Sequence, residues 1–248
     1  MMKNQEAFKF SPIVIAIPLY FVLILWVVYL VEMKFNLNFT KYGLQPHNFK
    51  GLRGILFSPF IHGSTKHLFN NSIPLFVLMS SLFYFYRKVA VKVLIYGTLL
   101  LGLLTWIIGR DSYHIGASGI VYLLFSFIFF SGLLTKYYRL TAVSLMVIFL
   151  YGGMIWYIFP VEKGISWEGH LSGLLAGIFF AFLYRKYGPK NDLFPWEKDD
   201  YQKDAFDLQF DDEGNFVPPP PIIEEQLPQE LPKFEDYKVT YILKGEEE

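Results

Sequence analysis

The segment SYHIGASGIVYLLFSFIFFSGLLT (residues 112–135) decides the fold class of this chain. Its second part is an apolar run close to the ~20 residues that an α-helix needs to cross ~30 Å of hydrocarbon. At the head of this run Ser118 stands among small residues, and Tyr122 follows four positions later, on the same face of a helix. The segment therefore predicts a membrane helix with a hydroxyl group at one end.

Composition extends the membrane prediction to most of the chain. The 248 residues are 53% hydrophobic and 19% aromatic, and they contain no cysteine, which excludes disulfides and thiolate metal sites. A soluble domain of this length would show shorter apolar stretches. The first apolar run is too long for a secretion signal and lacks a small-residue cleavage site, so we predict a retained helix. The six predicted spans are residues 13–31, 67–86, 89–109, 115–135, 140–159 and 166–184.

The net charge of zero conceals a strong asymmetry between the two parts of the chain. Residues 187–248 contain 17 acidic residues against six lysines, and they include the proline run VPPPP at 217–221. Such a composition buries too little apolar surface to offset the entropy of ordering. We therefore predict a cytoplasmic N-terminus (1–10), an all-α six-helix membrane domain (11–186) and a mostly disordered acidic tail (187–248). Within the tail, residues 237–243 alternate well enough for a strand that could dock a cytoplasmic partner.

Basic residues in the short connections predict the orientation. They flank the second and fourth connections and follow the last span, which places both termini in the cytoplasm. The first connection (34–66) is an exception, with five basic residues on the predicted outer side. It carries the short apolar run ILFSPF at 55–60, so we expect it to be partly embedded at the interface.

This topology brings polar groups of three spans to one depth near the outer face. His67 opens the second span, Ser118 lies in the first turn of the fourth, and His170 lies in the first turn of the sixth. Asn71 lies four residues after His67, on the same helical face. Ionisable groups inside a membrane are costly, which makes them candidates for function. All five histidines, at positions 47, 62, 67, 114 and 170, fall on this side.

Small residues around Ser118 and His170 would let their helices approach closely. Gly116 and Gly119 surround the serine, while Gly173 and Gly177 continue the stripe that starts at His170. Backbones at that distance would bring an imidazole to a hydroxyl. This pattern predicts nucleophilic catalysis, with His170 as general base and Ser118 as nucleophile. His67, Asn71 and backbone N–H groups could donate to a developing oxyanion.

At these residues the sequence resembles the rhomboid family of intramembrane serine proteases. The matching pieces are HGSTKHLFNN (62–71), GASG (116–119) with Tyr122, and GHLSGLLAG (169–177). The resemblance covers roughly residues 11–186. It implies a six-helix bundle that cleaves transmembrane substrates near the outer face, with Tyr122 packed against His170 and with no cofactor or metal. We expect a multi-pass protein of a bacterial inner membrane, with the bilayer and membrane proteins as partners and no nucleic-acid partner.

Other assignments remain to be weighed against this one. No histidine is followed by glutamate, so the zinc-protease motif is absent, and no span carries an aspartate for aspartyl chemistry. The open alternative is a proteolytically inactive rhomboid-like protein that binds membrane helices. Among single residues, Glu168 is expected to be a solvated loop charge rather than a partner of His170. His47, His62 and His114 are expected to order loops.

Overall fold

A computed structural model describes residues 11–151, 155–162, 164–189 and 206–217. In these ranges the regular structure is helical, with short 3-10 turns between α-helices and no β-strand. The chain divides into two compact units, Met1–Asn191 and Asp192–Glu248. The α-helices described are α1 (Ile13–Lys34), α2 (Gly54–Phe57), α3 (Thr65–Phe85), α4 (Ala90–Ile108), α5 (Ser118–Thr135), α6 (Tyr138–Tyr151) and α7 (Trp167–Tyr184).

Four of these helices, α1, α3, α4 and α5, are long and apolar enough to cross a membrane. Helix α7 has 18 residues, but its first turn carries Glu168 and His170. Helix α6 is described for 14 residues, and residues 152–154 after it lie outside the described ranges. The predicted fifth span ran to residue 159, whereas Trp156–Ile158 forms a 3-10 turn. The integral membrane character thus stands on four helices, and the count of six spans stays a prediction.

Helix α5 lies at the centre of the helical unit. Over its 18 residues 67% are buried, against 22% in 18-residue windows of α1 and α4. Several of its side chains, among them Leu123, Leu124 and Phe127, are fully enclosed. An apolar helix enclosed on all sides belongs to the core, while helices with exposed apolar faces are suited to lipid contact. Ser118, as the first residue of α5, therefore lies at the N-terminal end of the central helix.

Two serines fix the first turns of the helices that carry the candidate histidines. The Ser64 side chain accepts a hydrogen bond of 3.1 Å from the His67 amide at the start of α3. The Ser166 side chain accepts one of 3.3 Å from the Gly169 amide at the start of α7. Each serine thereby satisfies an amide that a helix start would leave unpaired. His67 and His170 both lie within turns whose backbone is fixed by a cap.

The first connection packs against the segment that leads into Ser118. It contains the 3-10 turns Thr40–Tyr42, Phe49–Arg53 and Ser58–Phe60 around α2. Leu44 and His114 form an antiparallel bridge, with N–O distances of 3.0 and 2.8 Å. The Gly116 amide donates to the Ser58 carbonyl at 2.8 Å. Residues far apart in the chain thus hold the approach to α5, while interfacial embedding of this connection stays a prediction.

In the second unit, only residues 206–217 are described. They form a 3-10 turn, Asp207–Gln209, followed by an isolated bridge between Phe210 and Phe216. The Asp211 carboxylate accepts hydrogen bonds from the Glu213 and Asn215 amides at 3.0 and 2.8 Å, which closes the turn between the bridge residues. The predicted strand at 237–243 lies outside the described residues, and tail disorder stays a prediction.

Candidate active site

Helices α5 and α7 touch backbone to backbone through glycines. A Cβ atom on Gly173 would overlap the carbonyl oxygen of Gly119. One on Gly177 would overlap the carbonyl oxygen of Leu123 and the hydroxyl of Ser126. Such an approach is open only to residues without side chains at the contact. The small-residue stripes thus meet each other, and they bring the first turns of α5 and α7 side by side.

Ser118 and His170 are joined by a hydrogen bond at this contact. The distance between Ser118 Oγ and His170 Nε2 is 2.8 Å, across 52 residues of sequence. Ser118 is the first residue of α5, and His170 lies in the first turn of α7. His170 is 6% exposed, so little water competes for its ring. A nucleophile within hydrogen-bond reach of a base is the geometry that nucleophilic catalysis requires.

The second nitrogen of His170 fixes the tautomer of the ring. His170 Nδ1 lies 2.8 Å from the backbone carbonyl oxygen of Tyr157, in the turn Trp156–Ile158. A carbonyl can only accept, so Nδ1 carries the proton and donates it. Nε2 is then left without hydrogen and accepts the Ser118 hydroxyl. Sequence reasoning missed Tyr157, because every residue carries a backbone carbonyl.

Tyr122 supports the imidazole from one side. Its ring stacks on that of His170 with centroids 4.3 Å apart and an interplanar angle of 15°. Tyr122 lies one turn after Ser118 on the same face of α5, and it is buried. With Tyr157 on one nitrogen, Ser118 on the other and Tyr122 on its face, the His170 ring is held in both position and rotation.

His67 and Asn71 lie against the backbone just before Ser118. A Cβ on Gly116 would sit 2.7 Å from His67 Nε2 and 3.6 Å from Asn71 Nδ2. Gly116 has a φ of +106°, a conformation that favours glycine, so this close approach has two reasons to exclude a side chain. Asn71 is 5% exposed, and its Nδ2 has no hydrogen-bond partner among the described residues. A buried donor without a partner is costly unless a ligand completes it.

His62 forms a hydrogen bond with the backbone between Gly116 and Ser118. The Ala117 amide donates to His62 Nε2 at 3.4 Å, and the rings of His62 and His67 are 5.1 Å apart at 64°. Burial lowers the pKa of His62 from 6.5 to about 4, with repulsion from His67 as a smaller cause. His62 is therefore neutral at neutral pH, which leaves Nε2 able to accept the Ala117 amide.

A cleft opens in front of these groups. Its volume is roughly 1060 Å³, which exceeds the ~300–1,000 Å³ of ordinary small-molecule pockets. The side chains of α3, α5 and α7 meet at its wall, so a segment of peptide could reach the serine. The polar residues that line it include His67, Asn71, Ser118, Tyr122, Tyr157 and His170.

The expectation for Glu168 is wrong. The residue is 1% exposed rather than solvated. Its Oε1 atom accepts from the Arg110 amide at 3.3 Å and lies 3.7 Å from the Arg110 guanidinium nitrogen Nε. Charge pattern alone did not indicate burial, because a carboxylate at the end of an apolar span is normally exposed to water. The loop roles of the other histidines fit their contacts: His47 Nε2 donates to the Ile107 carbonyl at 2.9 Å.

Comparison with known proteins identifies a family model and several relatives. Residues 50–187 match the family model described as the Rhomboid domain. An uncharacterised protein of Mycobacterium tuberculosis is 35% identical over 174 residues, which cover 66% of this chain and 72% of that protein. An uncharacterised protein of Mycobacterium bovis matches to the same extent. One from Mycobacterium leprae is 32% identical over 177 residues, covering 66% of this chain and 68% of its own length.

Proposed function

Because this chain belongs to the rhomboid family, we propose that it is an intramembrane serine endopeptidase with Ser118 as nucleophile and His170 as base. One observation carries the proposal: Ser118 Oγ donates to His170 Nε2 at 2.8 Å, while the Tyr157 carbonyl holds the proton on Nδ1. This is the protonation state in which the imidazole can take the serine proton. Chance packing of a serine would not require that tautomer.

The proposed first step is acylation of Ser118. Its oxygen attacks the carbonyl carbon of the scissile peptide bond, and His170 Nε2 takes the hydroxyl proton. The developing negative charge moves to the substrate oxygen. His170 then donates the proton to the leaving amine, which departs and leaves an acyl ester on Ser118. In the second step water from the cleft attacks the ester carbonyl while His170 takes its proton, and His170 then returns the proton to the Ser118 oxygen as the acid product leaves.

The proposed oxyanion site is the pocket formed by His67, Asn71 and the backbone near Gly116. Asn71 Nδ2 has the property expected of a waiting donor, since it is buried and unpartnered among the described residues. A preorganised donor in a site that excludes water is worth more than one in solution. Removal of a single donor of this kind costs about 10²–10³ in kcat.

We place this chemistry near the outer face of a six-span bundle in a bacterial inner membrane, with both termini in the cytoplasm. Helix α6 and helix α7 complete the spans in this proposal. The substrate is a transmembrane segment that unwinds next to the cleft, because a helical peptide bond is shielded from attack. The acidic tail (187–248) then lies in the cytoplasm, where it offers negative charge and proline-rich sequence to a partner protein.

The test uses the full chain in proteoliposomes with a single-span model substrate. We expect cleavage by the parent and a loss of about 10³-fold or more in Ser118→Ala and His170→Ala. A fluorophosphonate should label the parent and not Ser118→Ala. Ser131→Ala is the matched control, because Ser131 is a serine of the same helix that sits 13 residues beyond Ser118. It should cleave and label like the parent.

Two results would overturn the proposal. Equal cleavage by the parent and both dyad variants would mean that another group performs the chemistry. Binding of the substrate without cleavage or labelling, in the parent and in all variants, would favour the inactive rhomboid-like protein instead.

A further inference from the structure

We propose that Glu168 and Arg110 form a positioning clasp that holds the segment before Ser118 against the first turn of α7. The clasp is defined here as Arg110 and Glu168 together with His114 and Ser166. Its role rests on the proposed function, because it sets the distance between the two reacting side chains. Neither Glu168 nor Arg110 contacts the reacting atoms, so both are positioning residues.

The first half of the clasp is the Glu168 carboxylate, which contacts both the backbone amide and the guanidinium group of Arg110. Glu168 Oε1 accepts the Arg110 amide at 3.3 Å and lies 3.7 Å from its Nε. Arg110 Nη2 also donates to the Ile165 carbonyl at 2.5 Å, just before α7. Arg110 therefore contacts two residues around the start of α7, Ile165 and Glu168. The contacts span 55 and 58 residues of sequence, so they join separate parts of the chain.

The second half is a histidine–serine contact beside it. His114 Nε2 lies 3.2 Å from the Arg110 carbonyl, which can only accept, so Nε2 carries the proton. His114 Nδ1 is then the acceptor, and Ser166 donates its hydroxyl at 2.5 Å. Burial lowers the pKa of His114, consistent with this neutral form. Ser166 accepts the Gly169 amide in turn, so the cap of α7 is part of the clasp.

The clasp constrains the non-helical segment before Ser118, which helix packing does not constrain. The glycine contact fixes the axes of α5 and α7, but Ser118 is the first residue of α5 and follows a stretch without helical hydrogen bonds. Gly116, with φ of +106°, lets the backbone of that stretch adopt more than one conformation. Arg110 and His114 tie it to α7 on the side of His170. A displacement of about 1 Å between reacting groups can cost as much as 10²-fold in rate.

The burial of Glu168 explains why the clasp carries charge. The Glu168 side chain is 2% exposed, whereas the Arg110 side chain is 43% exposed at the wall of the cleft. Glu168 Oε2 has no hydrogen-bond partner among the described residues. An enclosed carboxylate depends on the cation that pairs with it, here Arg110. Loss of Arg110 therefore frees the segment and strands a charge, while Glu168→Gln keeps the shape and removes the charge.

The experiment compares Glu168→Gln, Arg110→Gln and the double variant with the parent in proteoliposomes. The measurements are kcat and KM for the single-span substrate, the second-order rate of fluorophosphonate labelling, and the thermal midpoint. We expect kcat and the labelling rate to fall together about tenfold, with KM within twofold. The double variant should lose no more than the worse single variant, because both residues act through one contact. Asp111→Asn, an exposed charge next to Arg110, is the matched control and should match the parent.

The labelling rate separates positioning from mere stability. A purely structural role would lower the thermal midpoint but leave kcat and labelling, per folded molecule, at parental values. That result would overturn the clasp, as would additive losses in the double variant. A parent that neither cleaves nor labels would overturn the proposed function, and this role with it. A cleaving parent with equally active variants would overturn the clasp alone.

Discussion

The site has a dyad half (Ser118, His170 and Tyr122) and a pocket half (His67 and Asn71). The two halves differ in how many of their polar groups already have hydrogen-bond partners. In the dyad half, Ser118 and both nitrogens of His170 are engaged, and Tyr122 covers the ring. In the pocket half, Asn71 is buried with an amide nitrogen that has no partner among the described residues, and His67 faces the open cleft. The dyad half is complete before substrate arrives. The pocket half becomes complete only when a substrate oxygen accepts its hydrogen bonds.

This difference separates residues that the fold needs from residues that only the reaction needs. An unpaired buried amide costs about 1–3 kcal/mol, and the fold gains nothing visible from it. By contrast, the contacts of the dyad half also join α5 to α7. Substitutions in the dyad half should therefore disturb both structure and activity, whereas those in the pocket half should separate the two.

Apart from the dyad variants Ser118→Ala and His170→Ala, the largest effect should come from breaking the helix contact beneath the dyad. In Gly173→Val the new side chain would collide with the Gly119 carbonyl and force α5 and α7 apart. We expect cleavage to fall by about 10²-fold or more, because the Ser118–His170 distance grows, and the thermal midpoint to fall as well. Leu175→Val, on the exposed face of α7, is the control and should behave like the parent. Parental activity in Gly173→Val would mean that the glycine contact does not set the dyad.

The next effect should come from the pocket half. Asn71→Ala removes the waiting donor, so kcat should fall about 10²-fold while KM changes little. The thermal midpoint should stay the same or rise, because an unsatisfied buried amide is lost. Asn70→Ala removes a neighbouring exposed amide and should change kcat less than twofold. A lower midpoint with unchanged kcat would assign Asn71 to the fold instead.

A smaller effect is expected at Tyr122. An aromatic pair contributes about 0.5–1.5 kcal/mol beyond burial, so Tyr122→Leu should lower kcat by about threefold to tenfold. Tyr122→Phe keeps the stacked ring and should remain near the parent. Steady-state cleavage of both variants gives the comparison. Equal losses in the two variants would show that the hydroxyl, rather than the stacked ring, is what matters.

The smallest effect concerns pH and His62, whose pKa is lowered from 6.5 to about 4 by burial. Between pH 6.5 and about 4, His62 is protonated in the unfolded chain but stays neutral in the folded chain. The stability contributed by neutral His62 is therefore fully present above pH 6.5 and is lost as pH falls toward 4. Thermal midpoints measured across this window should fall less steeply in His62→Gln than in the parent. Identical slopes would exclude His62 as a source of acid sensitivity.

The sequence was informative where the chemistry needs particular residue types at particular helix positions. Ser118, His170 and the glycines between their helices were identified because serine, histidine and small-residue spacing are visible in the letters. Tyr157 was missed because its contribution is a carbonyl that any residue could supply. Its turn also replaces the end of the fifth span, where apolar letters predicted a continuous helix.

Glu168 shows a second limit of sequence reasoning. The sequence places it at the start of an apolar span, a context in which a carboxylate is normally exposed. Its burial depends on Arg110, 58 residues earlier, which reaches it only once the helices have packed. A long-range ion pair has no periodicity and no fixed spacing, so single-sequence patterns do not indicate it.

The bridge between Leu44 and His114 has a practical consequence for anyone shortening this chain. A fragment that starts after Leu44 would keep every residue proposed to react, yet it would lack two main-chain hydrogen bonds that steady the stretch leading into the serine. Such a fragment would also lack α1 (Ile13–Lys34), so we expect it to cleave substrate poorly for both reasons. Expression boundaries chosen for this protein should therefore begin upstream of that leucine.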